Sequence, residues 1–282
     1  MKSYLEVAVE AALEAGAILM TELARPVEIN YKGEVDIVTQ ADGRSEQAIV
    51  TRLSNHFPTH AIVAEESGAH AAAAAATSGS GPKFCWYVDP LDGTTNFAHG
   101  YPWFCVSIGL AEGVPGKEEL LAGVVYHPVT QELFTAARGE GAYLNNKKIH
   151  VSKIEKLSTS LLGTGFPAHK RVQNPNIHYY WNFTLRTHGV RRAGSAALDL
   201  ASVACGRFEG FWEFGLKPWD TAAGVLLVRE AGGMVTDFSG QSYQLGGREL
   251  MASNSLVHTE MQSVAAETAR TSPDAPLAVP SR

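Results

Sequence analysis

From Phe84 to Gly116 the chain carries neither lysine nor arginine, yet within that stretch an apolar run, Phe84–Val88, empties into Asp89 and Asp92. A short apolar run of this kind reads as a buried strand. A carboxylate at the end of a buried strand is costly unless something pairs with it. Pro90 fixes its own φ and keeps Asp89 extended, while Gly93 permits a bend. Taken alone, "DPLDG" is an ordinary turn, and that is the plainer reading of it. A second apolar run, Ala61–Ala64, ends in Glu65 and Glu66. Two such strand ends lying side by side in one sheet bring four carboxylates together, and these repel unless a cation joins them. Oxygen ligands at that charge density favour a hard ion, Mg²⁺, with Mn²⁺ and Ca²⁺ as alternatives.

Around this segment the hydrophobic period changes several times. Tyr4 to Ala24 and Asp42 to Phe57 have helical spacing, each closed by a proline, Pro26 and Pro58. "VEINYKGEVDIVTQAD" between them predicts a strand or a loop-bearing hairpin with Gly33 at its tip. Residues 84–151 are a series of short alternating runs broken by Gly, Pro and Asn, which predicts a mainly antiparallel sheet. After Ser158, strand-like runs ("SLLGTGF", "GVRRAG", "FEGFWEFG", "GGMVTDFSG") alternate with helices starting near Asn174, Ser195 and Trp219, which predicts an α/β lobe. The expectation is one domain over 1–270, made of lobes 1–157 and 158–270. The alanine run after His70 predicts a flexible surface insertion, and the Pro-rich 271–282 a disordered tail.

Composition excludes some classes. A net charge of −6 over 282 residues leaves no electrostatic footprint for direct nucleic-acid binding. No apolar span is long enough for a membrane helix, and the N-terminus carries glutamates where a signal peptide is apolar. The three cysteines, Cys85, Cys105 and Cys205, lie in apolar runs without a C-x-x-C spacing, which predicts reduced core thiols and a cytoplasmic protein. The ten histidines show no metal-binding spacing.

Two helix starts extend the acidic constellation. Asp220 in "KPWDTAAG" stands at or beside an N-cap, where an acid is ordinary. Ser195 in "RRAGSAALDL" is a clear N-cap, and the free amides at such a start can hold an anion. Gly93-Thr94-Thr95 offers a similar amide cluster beside Asp89 and Asp92. A cation site with amide donors next to it suits a phosphate ester.

"VDPLDGTTNF", with "AEES" upstream and "KPWDTAAGVLLVREAGG" downstream, resembles the inositol monophosphatase family of magnesium-dependent sugar phosphatases, from the first helix to about Ser255. The stretch "RRAGSAALDLASVACGRFEGFWEFGLKPWD" is especially similar to the bacterial inositol-1-monophosphatases. The resemblance implies a layered α-β-α-β-α sandwich, two or three Mg²⁺ ions, sensitivity to Li⁺ and a homodimer. It implies a small phosphate ester as substrate, inositol monophosphate first. Fructose 1,6-bisphosphate, histidinol phosphate and 3′-phosphoadenosine 5′-phosphate are the alternatives. It also implies residue roles. Glu65, Asp89, the Leu91 carbonyl, Asp92 and Asp220 hold metal, with Glu66 behind them. Glu65, Thr94 and Asp92 are catalytic, the first two by orienting water. Amides of Gly93, Thr94 and Thr95 cradle phosphate. Gly194, Ser195, Ala196, Glu213 and Asp220 contact substrate, and Lys32, Asp36 and Asp42 belong to a mobile lid. Some bacterial relatives also contact the transcription machinery, so that partner is a further expectation.

Overall fold

A computed structural model describes residues 3–25, 29–31, 37–70, 83–114, 116–166 and 174–271. The first helix, α1 (Tyr4–Leu23), starts where the Ser3 hydroxyl accepts from the Glu6 amide at 3.2 Å and the Glu6 carboxylate accepts from the Ser3 amide at 2.7 Å. This reciprocal capping satisfies two amides that a helix start leaves open. Its buried face is largely alanine (Ala8, Ala11, Ala12, Ala15), which lets α2 (Gln40–His56) pack closely against it. Strands β1 (Ile29–Tyr31) and β2 (Ile37–Thr39) form the expected antiparallel pair ahead of α2. Gly33, Lys32 and Asp36, the alanine-rich insertion over 71–82 and the tail over 272–282 lie outside the described residues.

An eight-stranded sheet follows from β3 (Ala61–Ala64), β4 (Gly68–His70), β5 (Phe84–Asp92), β6 (Cys105–Glu112), β7 (Glu119–His127), β8 (Glu132–Ala137), β9 (Gly141–Leu144) and β10 (Lys147–Ile149). Its order is β10-β9-β8-β7-β6-β5-β3-β4, antiparallel except where β3 runs parallel to β5. A second sheet has the order β12-β11-β13-β15-β14, from β11 (Leu161–Thr164), β12 (Gly189–Arg191), β13 (Gly210–Phe214), β14 (Met234–Thr236) and β15 (Glu249–Ser253). It is parallel at β12-β11-β13 and antiparallel beyond.

Helices complete the layers. α1 and α2 cover one face of the large sheet. α5 (Ala196–Ala204) and α6 (Pro218–Glu230) fill the space between the two sheets, and α4 (Asn176–Thr184) and α7 (His258–Thr271) cover the outer face of the small one. This is an α-β-α-β-α sandwich. Among the described residues no helix is long and apolar enough to cross a membrane. Cys85, Cys105 and Cys205 are free thiols.

β15 and α7 are not marked in the sequence reading. "ELMAS" is only five residues long between Gly247 and Asn254, and α7 buries a single narrow face, His258, Met261, Val264, Ala265 and Thr268. Both are fixed by long-range contacts. His258 joins them: its Nδ1 pairs with the Ser253 hydroxyl at 2.8 Å and its Nε2 with the Thr236 hydroxyl at 2.9 Å. Burial holds the His258 imidazole below its ordinary range. A group whose folded pKa is depressed loses stability as pH falls, so the loss begins below the unfolded value of about 6.5. His258→Gln is expected to flatten the fall in melting temperature between pH 7 and pH 5. An unchanged slope would remove His258 from that dependence.

Candidate functional site

The site is made where β3 and β5 end together. Ala64 pairs with Val88, and the Glu65 amide donates to the Val88 carbonyl at 3.1 Å, so Glu65 leaves the sheet beside Asp89. β5 then bulges. Asp89 lies opposite Ser107 and Asp92 opposite Cys105, three steps on one strand against two on the other. In a regular strand, residues three apart face opposite ways. The extra residue in a bulge resets that alternation, and it turns Asp89 and Asp92 to one side. Pro90 has no amide to lose there. The Leu91 side chain is fully buried, and its amide donates to Asp89 Oδ1 at 3.0 Å.

Gly93 has φ +100°, and a Cβ on it would stand 2.9 Å from the Trp103 carbonyl. Only glycine meets both demands. Short helix α3 (Thr94–Ala98) starts from it, presenting the Thr94 and Thr95 amides. Asn96 ties this turn down by donating to the Trp103 carbonyl at 2.7 Å and the Ala193 carbonyl at 2.9 Å. The Thr94 hydroxyl has two acceptors, Leu91 O at 3.0 Å and Asp42 Oδ1 at 3.1 Å.

Asp42, grouped by resemblance with the lid, is fully buried in the first turn of α2, where its other oxygen accepts from the Thr39 amide at 2.8 Å. Ser45, one turn further on, donates to the Pro90 carbonyl at 2.8 Å. Glu46 accepts from the Glu66 amide at 2.9 Å. Thus α2 holds both strand ends. Sequence reasoning missed Ser45 and Glu46; the signal was their spacing from Asp42 on one helix face.

Asp92 ends β5 of the large sheet, and Asp220 stands in the first turn of α6. Asp92 Oδ2 accepts from the Ser195 hydroxyl and the Ala197 amide, each at 2.7 Å. The start of α5 is therefore an anchor for Asp92. The Ser195 hydroxyl is spent on this contact, and Ser195 is 2% exposed. Ala196 is buried beside it, and Gly194 bends the chain into the helix at φ +89°. Asp220 Oδ2 accepts from the Lys217 amide at 2.7 Å, so it is a cap as well as a candidate ligand. Glu213 stands on β13 at 9% exposure.

The electrostatics of these acids are adverse as a set. Burial first, then the charges of Glu65, Asp92 and Asp220, push Asp89 well above the ordinary carboxylate range, and Glu65 lies within its hydrogen-bond reach. Burial and the Asp92 charge push Asp220 up, and burial with the charges of Asp220 and Asp92 pushes Glu213 up. Burial also raises Asp92, against the pull of Ser195 and Ala197. Carboxyl groups in this position need protons or a cation.

Among the described residues no group of three or more His, Cys, Asp or Glu side chains stands ready-made to hold a metal ion. Asp89, Asp92 and Asp220 each turn one oxygen to a local donor. Their second oxygens, with Glu65 and the Leu91 carbonyl, make an all-oxygen donor set of high negative charge. That chemistry fits a hard divalent cation. A separate groove of about 920 Å³ lies along α1 and α2, away from these acids. Its Arg44 and Arg52 are already paired with Glu22 and Glu14.

Comparison with known proteins places this architecture. The sequence model of the inositol monophosphatase family matches residues 1–274. The chain is 45% identical over 272 residues to an inositol-1-monophosphatase of Synechocystis sp., covering 95% of this chain and 90% of that one. It is 45% identical over 260 residues to the Nus factor SuhB of Pseudomonas aeruginosa, covering 90% and 92%. Among solved structures, an inositol monophosphatase from Anabaena (Nostoc) sp. superposes with a TM-score of 0.82 at 42% identity, covering 94% of this chain and 95% of that one.

Proposed function

The chain belongs to the inositol monophosphatase family, and from that premise we propose that it hydrolyses the phosphate monoester of a small polyol, inositol monophosphate foremost. The observation that carries the reading is the bulge in β5, which sets Asp89 and Asp92 on one side beside Glu65. Glu65, Asp89, the Leu91 carbonyl, Asp92 and Asp220 would hold Mg²⁺, in two or three ions as in the family. Divalent cations held there supply Lewis acidity toward phosphoryl oxygens and acidify water.

The remaining chemistry belongs to the chain. The Thr94 hydroxyl has one hydrogen, and Asp42 and Leu91 compete for it. Its lone pairs are then left to accept from an attacking water, which Glu65 would help to orient. The amides of Gly93, Thr94 and Thr95 provide the cradle for phosphoryl oxygens, since a first helical turn has no preceding carbonyls to take them. Glu213, on β13 within the field of Asp220 and Asp92, receives substrate hydroxyls. Preorganised donors of this kind lower the barrier because they need not reorient during reaction.

The test is phosphate release over inositol 1-phosphate, fructose 1,6-bisphosphate, histidinol phosphate and 3′-phosphoadenosine 5′-phosphate, with and without Mg²⁺. Fastest Mg²⁺-dependent turnover of inositol 1-phosphate is expected. No release from any ester would sink the reading. A homodimer is part of it: Trp181 and Leu185, one turn apart at α4, are 66% and 65% exposed. Sedimentation measures that directly. The similarity to a Nus factor SuhB supports a contact with the transcription machinery, which a pull-down with an RNA polymerase elongation complex tests.

A further inference from the structure

We propose that Asp199 is a positioning residue which, together with the glycine face of β11, seats Glu213 for recognition of substrate hydroxyls. The proposal rests on the phosphatase reading above and deepens it by assigning what selects the alcohol part of the ester.

β11 and β13 run parallel, with Gly163 opposite Phe211 and Thr164 opposite Trp212. Gly163 therefore shares its face with Phe211. The next pair in that register sets Gly165 beside Glu213 on the same face. A Cβ on Gly163 would stand 3.4 Å from the Asp199 Cγ and 3.0 Å from the Phe208 ring. A Cβ on Gly165 would stand 2.1 Å from Glu213 Oε2 and 2.2 Å from its Cδ. Residues two apart on a strand lie about 7 Å apart. Two carboxyl groups thus lie side by side over two glycines, in space that exists because neither glycine has a side chain. Neither glycine has a positive φ, so backbone conformation does not require them. The requirement is room.

Asp199 is 1% exposed, and among the described residues its Oδ1 has no hydrogen-bond partner. A buried polar atom left unsatisfied is rare in native structures and calls for a role. The metal chemistry above does not use Asp199. The positive charge that acts on both acids is Arg192, whose Nη1 lies 3.1 Å from where a Gly194 Cβ would be. Two carboxyl groups walled in over a glycine face complement the hydroxyls of a substrate and disfavour a second anionic group in the same position. Glu213, the more exposed member, makes the contact; Asp199 closes the wall behind it and limits where its carboxyl can settle.

The test compares kcat and KM for inositol 1-phosphate and for phenyl phosphate, which has no hydroxyls, in the wild type, Asp199→Ala, Asp199→Asn and Gly165→Ala. The three atoms nearest the methyl of Gly165→Ala all belong to the end of the Glu213 side chain, so the carboxyl is what must move. Asp199→Ala and Gly165→Ala are each expected to lower the ratio of kcat/KM, polyol over phenyl ester, by about tenfold or more, chiefly through KM for the polyol. Asp199→Asn, which keeps an acceptor, is expected to restore most of that ratio. Equal losses on both esters, or an unchanged ratio in Gly165→Ala, overturn the proposal and leave the phosphatase reading standing. A wild type that cleaves neither ester overturns both.

Discussion

Asp92→Asn is expected to lower Mg²⁺-dependent phosphate release by roughly 10³-fold or more, while the melting temperature stays near that of the wild type. The two faces of the side chain explain the split. Asp92 Oδ2 accepts from the Ser195 hydroxyl and the Ala197 amide. An asparagine can place its carbonyl oxygen there and keep both contacts, so the junction between β5 and α5 survives. Its NH₂ then replaces the oxygen that faces the acidic cluster, and a donor cannot serve as a cation ligand. The substitution also removes one negative charge from a buried set whose members raise one another, which offsets part of any loss in packing. Calorimetry and a phosphate-release assay on the same preparation check it. Normal turnover in a folded Asp92→Asn would take Asp92 out of the mechanism.

What was readable in the sequence follows from the range of each interaction. The ends of β3 and β5 were legible because the run from apolar to acidic is local, and because no lysine or arginine stood nearby to neutralise it. Their adjacency was inferred, and the parallel pairing of Ala64 with Val88 shows it. The bulge was not legible. Pro90 and Gly93 mark a bend, but which residues cross the extra position depends on the partner strand. The burial of Asp42 was not legible either. Its neighbours Thr39 and Thr94 are far apart in sequence, and the resemblance had grouped Asp42 with Lys32 and Asp36. Ser195 reads as a helix cap from its own segment, and it does accept from the Leu198 amide at 3.3 Å. That its proton goes to Asp92, at the end of β5, depends on how α5 docks. Asp220 shows the reverse. Its capping role is visible in "KPWD", and that role fixes which of its oxygens remains for the cluster.

The docking of α6 is set by glycines of β6 and β7, and substitution there is expected to cost both stability and turnover. Gly109 on β6 and Gly123 on β7 are direct cross-strand partners, so they form one bare patch on the sheet. α6 rests on it. A Cβ on Gly109 would lie 2.6 Å from the Ala222 Cβ and 2.9 Å from the Ala223 amide nitrogen, and one on Gly123 would lie 2.9 Å from the Ala223 carbonyl oxygen. Backbone atoms cannot swing aside, so Gly109→Ala must push the helix off the sheet by about 1 Å to restore ordinary contact. Overpacking of this kind costs about 1–3 kcal/mol. Asp220 lies two residues before Ala222 on the same helix, and the Trp219 carbonyl accepts from Ser107 of β6 at 3.2 Å. The shift therefore reaches the acid cluster, where a misplacement near 1 Å costs about 10²-fold in rate. Gly43→Ala is the matched control. It lies within α2 with nothing within 4 Å of its added Cβ. Helix propensity alone then predicts a gain of about 0.5–1 kcal/mol, with turnover unaffected. Denaturant unfolding and phosphate release separate the two variants. A folded Gly109→Ala with wild-type turnover would show that the seat of α6 does not govern where Asp220 stands.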